Sequence, residues 1–365
     1  MPRPRFYAVV LIVLACATGG WAQGVSPAQT GPVIIPRQAP AQAAPAPPPP
    51  PTPVAKPKPP QFHYSVTVPE VQIPVTVQVS SGQFVPNLRI GNFRLYENGV
   101  LQNINKLNVT TDAPMTVVLL VEFRQTWAQF IYNILQASYD FVGQLQPQDW
   151  VALVTYDIKP TVVVDFTHNK NAIYAGLNSL QFPAFSEVDM FDSLSNTIDR
   201  LNDIKGHKTI VLVSTGLNTM SRMDFGDLEK KLQATRNITI FTVSMGWSLE
   251  QWLEGNGYNP IAQMDLLQAD NELRYIADAT GGRYYQPRFE GAYDDVFHSI
   301  SDAVRSEYLL SYEPTDKKLD GSKRKIEVKL VGPSGQPLKM VNQKGKPLKY
   351  TVYYPKTYTA RHVVQ

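Results

Sequence analysis

Residues 115–122, M-T-V-V-L-L-V-E, constrain the fold of this chain more than any other stretch. They form a short run of apolar or β-branched residues that ends in a carboxylate, Glu122. A run this rich in valine and leucine, followed at once by a helical pattern, is typical of a strand buried on both faces of a parallel sheet. In open α/β sheets the ligand crevice lies at the carboxyl ends of the strands. Residues 122–126 are therefore the first place to look for a functional site.

Strands and helices alternate along the sequence from residue 115 to residue 305. Further buried strands are predicted at 150–156, 209–214 and 238–245, and a strand at 161–166 is close enough to be the hairpin partner of 150–156. Helices are predicted over residues 127–145, 171–180, 190–204, 225–236, 264–279 and 292–304, with a short strand at 283–285. This spacing predicts an α/β fold with a doubly wound, mostly parallel, Rossmann-like sheet, helices on both faces and one antiparallel edge.

The sequences on both sides of this region have β character. Strands are predicted over residues 63–68, 73–79 and 93–96 before it and over residues 308–312, 325–330 and 350–354 after it. Asn98 and Gly99 supply a tight hairpin turn. Because an isolated hairpin is only marginally stable in water, we expect the two flanks to pack together as a β-sandwich-like module, with the α/β domain inserted between them.

The N-terminus has the composition of a secretory leader. Arg3 and Arg5 precede an apolar run over residues 6–17, and small residues then lead to Ala22. The run is too short for a permanent membrane anchor, so no transmembrane span is expected in the mature chain. Cleavage after Ala22 would remove Cys16, the only cysteine, whereas cleavage before Cys16 would leave its thiol for a lipid anchor, as in bacterial lipoproteins. Neither outcome allows a disulfide.

A segment of mainly proline, alanine and glutamine follows from residue 25 to residue 60. Proline lacks an amide donor and fixes φ, so this segment favours extended polyproline II and, at ~3.1 Å per residue, could reach on the order of 100 Å. We interpret it as a disordered spacer or stalk. The predicted organisation is a signal peptide over 1–22, a proline-rich linker over 23–61, an N-terminal β module over 62–112, an α/β domain over 113–305, C-terminal strands over 306–358 that pack on the N-terminal module, and a tail over 359–365.

Charge and motif content argue against nucleic-acid binding and catalysis. Lys and Arg total 34 and Asp and Glu total 31, and removal of the predicted leader would bring this balance closer to zero. A nucleic-acid partner is therefore not indicated. No glycine-rich phosphate loop follows a predicted strand, no Gly-x-Ser-x-Gly elbow occurs, and the five histidines are scattered. The sequence predicts a protein that is not an enzyme and binds no nucleotide cofactor.

Six short segments occur in a characteristic order. They are F-R-L-Y-E-N-G at 93–99, V-V-L-L-V at 117–121, F-D-S-L at 191–194, I-V-L-V-S at 210–214, A-T-G-G-R at 279–283 and R-S-E-Y-L-L-S-Y at 305–312. With these segments the chain resembles the von Willebrand factor type A (VWA) domains, and in particular the secreted, VWFA-related type of acidobacteria, over nearly all of residues 62–358. The resemblance implies the doubly wound fold already expected and a metal-ion-dependent adhesion site.

In that family the adhesion site uses Asp-x-Ser-x-Ser after the first strand, a threonine before the third helix and an aspartate after the fourth strand. These are hard oxygen ligands suited to Mg²⁺. In this chain the corresponding positions are occupied by Glu122, Arg124, Thr126, Val188 and Thr215. Glu122 and Thr126 keep ligand chemistry, and Thr215 offers a weak hydroxyl. The resemblance therefore implies a degenerate site.

Arg124 is the departure that matters most. A guanidinium cannot lose its proton to become a ligand, and its charge competes with a cation for the Glu122 carboxylate. We predict that Arg124 pairs with Glu122 and leaves the site without a metal or other cofactor. Two alternatives remain: Arg124 points into solvent, or Mg²⁺ still binds Glu122 and Thr126, with Asp189 as a further ligand if its loop shifts.

Aromatic residues are expected at the same edge of the sheet, namely Trp127, Trp247, Trp252 and Tyr258. Tryptophan is enriched at interface hot spots, so this rim is a candidate partner-binding surface, although Trp127 and Trp252 could instead be buried under their own helices. The sequence thus predicts an exported bacterial protein, periplasmic, secreted or lipid-anchored, that binds or scaffolds a protein partner at the cell envelope. A divalent-metal-dependent adhesin is the alternative, and a hydrolase on a Rossmann-like sheet is less favoured.

Overall fold

The structure is a computed structural model that describes residues 70–111, 113–124, 128–181, 187–255, 260–289, 291–342 and 344–362. Its description leaves out the side chains of residues 128–130, 133, 248, 252, 253 and 260–263. The predicted signal peptide, the predicted linker and the predicted strand at 63–68 lie outside the described residues. No helix in the described part of the chain combines the length and apolar character that a membrane span needs.

The chain folds into an α/β part and an antiparallel β module. The strands are β1 (Val71–Val79), β2 (Phe93–Glu97), β3 (Val100–Gln102), β4 (Ile104–Val109), β5 (Thr116–Glu122), β6 (Trp150–Tyr156), β7 (Pro160–Thr167), β8 (Lys208–Ser214), β9 (Ile238–Ser244), β10 (Tyr284–Tyr285), β11 (Tyr308–Tyr312), β12 (Lys323–Leu330), β13 (Met340–Val341), β14 (Pro347–Leu348), β15 (Tyr350–Tyr353) and β16 (Thr357–Thr359). The helices are α1 (Ala128–Gln144), α2 (Lys170–Asn178), α3 (Met190–Asn202), α4 (Phe225–Ala234), α5 (Gly246–Gly255), α6 (Pro260–Thr280) and α7 (Ala292–Arg305).

The α/β part is built on a six-stranded sheet with the order β10-β9-β8-β5-β6-β7. All neighbouring strands are parallel except β6 and β7, which are antiparallel. The predicted fold class is confirmed, including the hairpin partner at the antiparallel edge. Strand β5 lies between β6 and β8, so its C-terminal residue, Glu122, lies inside the carboxyl edge of the sheet.

Strand β5 is buried on both faces because helices cover both sides of the sheet. Val117, Leu119 and Val121 belong to the core beneath α1, α2 and α7. Val118 and Leu120 belong to the core on the opposite face, beneath α3, α4 and α6. The alternation follows from the two-residue period of a strand. It explains why a continuous apolar run, and not an alternating one, encodes this strand.

The β module consists of two four-stranded antiparallel sheets with the orders β15-β1-β11-β4 and β16-β12-β2-β3. Each sheet combines strands from before and after the α/β part, so the two flanks pack together as the sequence predicts. The inner faces of both sheets contribute to one hydrophobic core, as in a sandwich. The β2–β3 hairpin turns at Asn98 and Gly99, whose φ angles are 49° and 82°. This is the turn that the Asn-Gly pair predicts.

A buried polar cluster joins four strands of the β module. Glu97 accepts hydrogen bonds from the hydroxyls of Tyr312 at 2.6 Å and Tyr358 at 2.8 Å, and from Nη1 of Arg324 at 3.2 Å. Arg324 is also 2.6 Å from a carboxylate oxygen of Asp316. The Glu97 charge is therefore compensated by a cation and by two hydroxyl donors. Loss of one partner would leave a charge buried without compensation.

One stretch of the α/β part differs from the sequence prediction. No element is predicted between the strand at 238–245 and the helix at 264–279, but residues 246–255 form α5, and α6 begins at Pro260 and not at residue 264. Glycines at both ends of α5 make this stretch resemble a loop in sequence. The helix is stabilised by tertiary packing, because Leu249 is buried. Proline at the first position of α6 fits a helix start, since its missing N–H has no intrahelical partner there.

The chain after α6 packs closely against β9 at Gly282. Gly281 has a φ of 81°, and a Cβ on Gly282 would lie 2.0 Å from the carbonyl oxygen of Ile240. The hydroxyl of Thr280 accepts a hydrogen bond from the Ile240 N–H at 2.9 Å. Only glycine allows the backbones to approach this closely.

We therefore expect Gly282→Ala to destabilise the protein by about 1–3 kcal/mol, because the new methyl group forces backbone atoms apart. Urea unfolding monitored by tryptophan fluorescence measures this. Gly91→Ala is the matched control, since a Cβ at Gly91 meets nothing within 4 Å. Equal stability of the two variants would contradict the close approach.

Candidate functional site

The carboxyl edge of the sheet brings the ends of β5 and β8 together. The two strands are parallel neighbours, with Val121 opposite Val213. Their next residues are Glu122 on β5 and Ser214 on β8, followed by Thr215. Glu122 is only 1% exposed. The site therefore contains a buried carboxylate, whose partners decide what the site can bind.

Three donors at the end of β8 bind the Glu122 carboxylate. The Thr215 N–H donates to Oε2 at 2.7 Å, the Thr215 hydroxyl donates to Oε2 at 2.9 Å, and the Ser214 hydroxyl donates to Oε2 at 3.0 Å. Hydrogen bonds to an ionised acceptor are stronger than those between neutral groups. The carboxylate is thus held to β8, and the Thr215 hydroxyl is used in holding it.

Arg124 supplies the compensating charge. Its Nε lies 2.9 Å from Oε1 of Glu122, and the arginine is 5% exposed. The predicted pairing of these two residues is confirmed, and the alternative in which Arg124 points into solvent is not what the structure shows. A guanidinium this close to the carboxylate places positive charge where a cation ligand of Glu122 would need to approach.

Tyr156 closes the site on the side of β6. It lies opposite Glu122 in the sheet register, and its carbonyl accepts the Phe123 N–H at 2.8 Å. Burial, together with the nearby negative charge of Glu122, raises the pKa of the Tyr156 hydroxyl well above its ordinary value. The phenol therefore stays protonated and neutral at physiological pH, and it is not available as a base.

Val188, at the position of the family threonine, lies in the core. Its side chain is fully buried beneath α3, and its carbonyl accepts the N–H groups of Thr219 at 2.9 Å and Met220 at 3.1 Å. A valine held in this way offers no ligand atom. The Ser214 hydroxyl lies 3.3 Å from the sulfur of Met190, so a soft thioether contacts this part of the site.

Asp189, the proposed substitute ligand, is used at the start of α3. It is the N-cap residue of that helix and accepts the Asp192 N–H at 3.1 Å, and it also accepts a short hydrogen bond from the Ser221 hydroxyl. Burial raises the pKa of the Asp189 carboxyl. Capping of this kind contributes about 1 kcal/mol to helix stability. Its carboxylate is therefore committed to the helix.

The structure brings together only part of the predicted set. Glu122, Arg124 and Thr215 meet at one point, whereas Val188 is a core residue. Thr126, Trp127 and Tyr258 lie outside the described residues, as does the side chain of Trp252; Trp247 is half-buried at the start of α5. Ser214, Tyr156 and Met190 were not predicted, because only the sheet register and the packing of α3 bring them to Glu122. In the described part of the chain, no group of three or more His, Cys, Asp or Glu residues is placed to hold a metal ion.

Comparisons with known proteins rest on structure. Neither a family model nor a curated protein matches the sequence. Similar solved structures include a von Willebrand factor type A protein from Catenulispora acidiphila, with 12% identity, coverage of 82% of this chain and 75% of that chain, and a TM-score of 0.41. The ArnB paralog VWA2 from Sulfolobus acidocaldarius has 10% identity, 77% and 75% coverage and a TM-score of 0.38. The conserved hypothetical protein BatB from Bacteroides thetaiotaomicron has 13% identity, 53% and 100% coverage and a TM-score of 0.39.

The geometry predicts a large effect of removing one member of the buried pair. We expect Arg124→Ala to destabilise the protein by about 3–5 kcal/mol, since Glu122 would keep a buried charge without its cation. The double variant Glu122→Gln/Arg124→Met should recover most of that loss. Urea unfolding gives both values.

Arg200→Ala is the control for the arginine substitution. Arg200 pairs with Asp165 at 3.2 Å on the surface, where both side chains are more than half exposed, and its loss should cost less than about 1 kcal/mol. If Arg124→Ala were no more destabilised than Arg200→Ala, the buried pair would not contribute to the stability of the fold as predicted.

Proposed function

We propose that this chain, whose α/β part has the fold of a von Willebrand factor type A domain, is an exported, non-catalytic protein–protein interaction or scaffolding module with a degenerate, metal-free adhesion site. The observation that carries the proposal is the buried ion pair between Arg124 and Glu122. It lies at the carboxyl end of the central strand, at the position where the family resemblance implies a cation.

The pair supports a metal-free site for two reasons. Mg²⁺ requires several oxygen ligands in near-octahedral geometry, and the Glu122 oxygens already accept hydrogen bonds from Ser214 and Thr215. A cation would also have to displace the Arg124 guanidinium, which cannot become neutral. The Glu122 carboxylate is thus engaged by donors and by a cation within the described part of the chain, which does not favour its use as a general base. A binding role therefore fits the edge better than a catalytic one.

Exposed apolar side chains support protein binding at the same edge. Met220 follows β8, and Met264 and Leu267 lie in the first turns of α6, which follows β9 and α5. Met264 is 74% exposed and Leu267 is 65% exposed. Phe289, which follows β10, is also exposed. Exposed apolar side chains that a partner can bury are candidates for the anchor positions of a protein–protein interface.

Export and an envelope location are supported by the sequence. The leader predicted over residues 1–22 would direct the chain across a membrane, and the proline-rich segment after it would hold the folded part at a distance. We propose a protein partner at the cell envelope, with Cys16 as a lipid attachment point if cleavage precedes it.

Calorimetric titration with Mg²⁺ and Mn²⁺ tests the metal-free site. We expect no binding to the wild-type chain, because Arg124 already compensates the Glu122 carboxylate. If a binding heat is measured, the same titration of Glu122→Ala shows whether the Glu122 carboxylate is a ligand. Low-micromolar binding that Glu122→Ala abolishes would instead identify a divalent-metal-dependent adhesin.

Capture of proteins from a cell-envelope extract, with and without a chelator, tests the interaction role. We expect a specific partner whose capture does not depend on the chelator and is lost in Met264→Ala/Leu267→Ala. Val100→Ala/Leu101→Ala removes two exposed apolar side chains from the β module and should leave capture unchanged. Loss of capture in both double variants would contradict binding at this edge.

An activity assay tests the remaining alternative. Hydrolysis of compounds in an ester or phosphoester panel would favour a hydrolase.

A further inference from the structure

A polar cavity opens beside the Glu122 site, between the loop after β8 and helix α6. Its volume is about 320 Å³. Its lining includes Gly216, Asn218 and Thr219 from the loop and Asp265, Gln268 and Glu272 from α6. Gly216 and Leu217 follow Thr215 directly, and the Thr215 hydroxyl accepts the Leu217 N–H at 3.3 Å. The cavity is thus adjacent to the Glu122 site at the carboxyl edge.

The walls of the cavity are fixed by backbone contacts. Gly216 has a φ of 78°, and a Cβ there would lie 2.7 Å from the carbonyl oxygen of Ala269, so α6 and the loop touch at this glycine. Beyond it the loop is attached to the start of α3, because Asn218 Oδ1 accepts the Met190 N–H at 3.0 Å. The Thr219 N–H donates to the Val188 carbonyl at 2.9 Å. The cavity is therefore formed before any ligand arrives, which lowers the entropic cost of binding.

The charge of the lining is negative. Asp265 and Glu272 are its ionisable side chains, and the cavity-lining residues include no lysine, arginine or histidine. Glu272 is half-buried, and one of its oxygens accepts the Gln268 amide at 2.9 Å. Burial raises the pKa of the Glu272 carboxyl. Its carboxylate is thus partly removed from water, and a cation entering the cavity would stabilise it.

The spacing of the two carboxylates distinguishes between cationic ligands. Asp265 and Glu272 are seven positions apart on α6, which corresponds to about 10 Å along a helix. A divalent metal ion needs its oxygens at ~2.0–2.6 Å, so the two carboxylates are too far apart to share one ion. Long basic side chains of a polypeptide can meet them separately, with their methylene stems along apolar surface.

An exposed methionine lies on α6 near the cavity. Met264 is one helical turn before Gln268, which lines the cavity. Residues one turn apart on a helix lie on the same face. The Met264 side chain is 74% exposed, so a ligand that enters the cavity with a cation would find an apolar side chain beside it.

We propose that this cavity binds a basic segment of a protein partner, with a lysine or arginine side chain entering between the β8 loop and α6 to meet Glu272, and with a neighbouring apolar residue packed on Met264. The inference rests on the proposed interaction function and names the chemistry of the partner. Unlike a metal-dependent adhesion site, this cavity would bind its partner without a metal ion.

Selection of a random dodecapeptide library against the full chain, with a chelator present, tests this proposal. We expect the selected peptides to carry Lys or Arg beside Leu, Met or Phe. Their affinity should fall roughly tenfold in Glu272→Gln, which keeps the side-chain shape and removes the charge, and should weaken as NaCl is raised. Glu327→Gln, on the exposed face of β12, is the matched control and should bind as wild type does.

Other outcomes separate the two proposals. Selected peptides that are acidic, that bind Glu272→Gln as tightly as wild type, or that need a divalent cation would overturn the basic-segment proposal. If peptides insensitive to Glu272→Gln still require Met264 and Leu267, the interaction function stands and only the cavity assignment fails. Melting temperatures of both Gln variants verify the fold, and the salt dependence of wild-type binding gives a second test that needs no variant.

Discussion

The ion pair between Glu122 and Arg124 governs the carboxyl edge of this structure. The central strand ends in a carboxylate that is almost fully buried, and such a charge is costly unless it is paired and hydrogen-bonded. Arg124 supplies the pair, and the end of β8 supplies the donors. The neighbouring strands β5 and β8 are thereby tied at their carboxyl ends by side chains as well as by the sheet.

The same edge contains a second polar region, the cavity beside α6, whose carboxylates are not held by a cation of the lining. At Glu122 both carboxylate oxygens accept hydrogen bonds from the end of β8. In the cavity beside α6, the described lining residues include the carboxylates of Asp265 and Glu272 and no basic side chain. Both regions are formed where strands end and loops or helices begin, and such segments can change in sequence without disturbing the sheet beneath them.

Sequence patterns predict the elements of this protein better than its site. The run 117–121 identifies β5 because a short continuous apolar run rich in valine and leucine is typical of a strand buried on both faces. Asn98 and Gly99 identify their hairpin because the turn requires positive φ. The pairing of Arg124 with Glu122 is predictable since their separation is local. By contrast, Ser214, Tyr156 and the cavity residues meet only through strand order and helix packing, which no local pattern encodes. Helix α5 is missed because its terminal glycines resemble a loop and its stability comes from burial of Leu249.

The β module has a consequence for how the chain is made. Strand β1 pairs with β11 and β15, and β2 pairs with β3 and β12, so three of these four partners come after the whole α/β part. During synthesis from the N-terminus, β1 therefore leaves the ribosome before either of its partner strands, β11 and β15, has been made. Pairings between such distant segments form slowly, and an unpaired apolar strand is prone to aggregation in the interval. A chain that ended before β11 would leave β1 permanently without a partner strand.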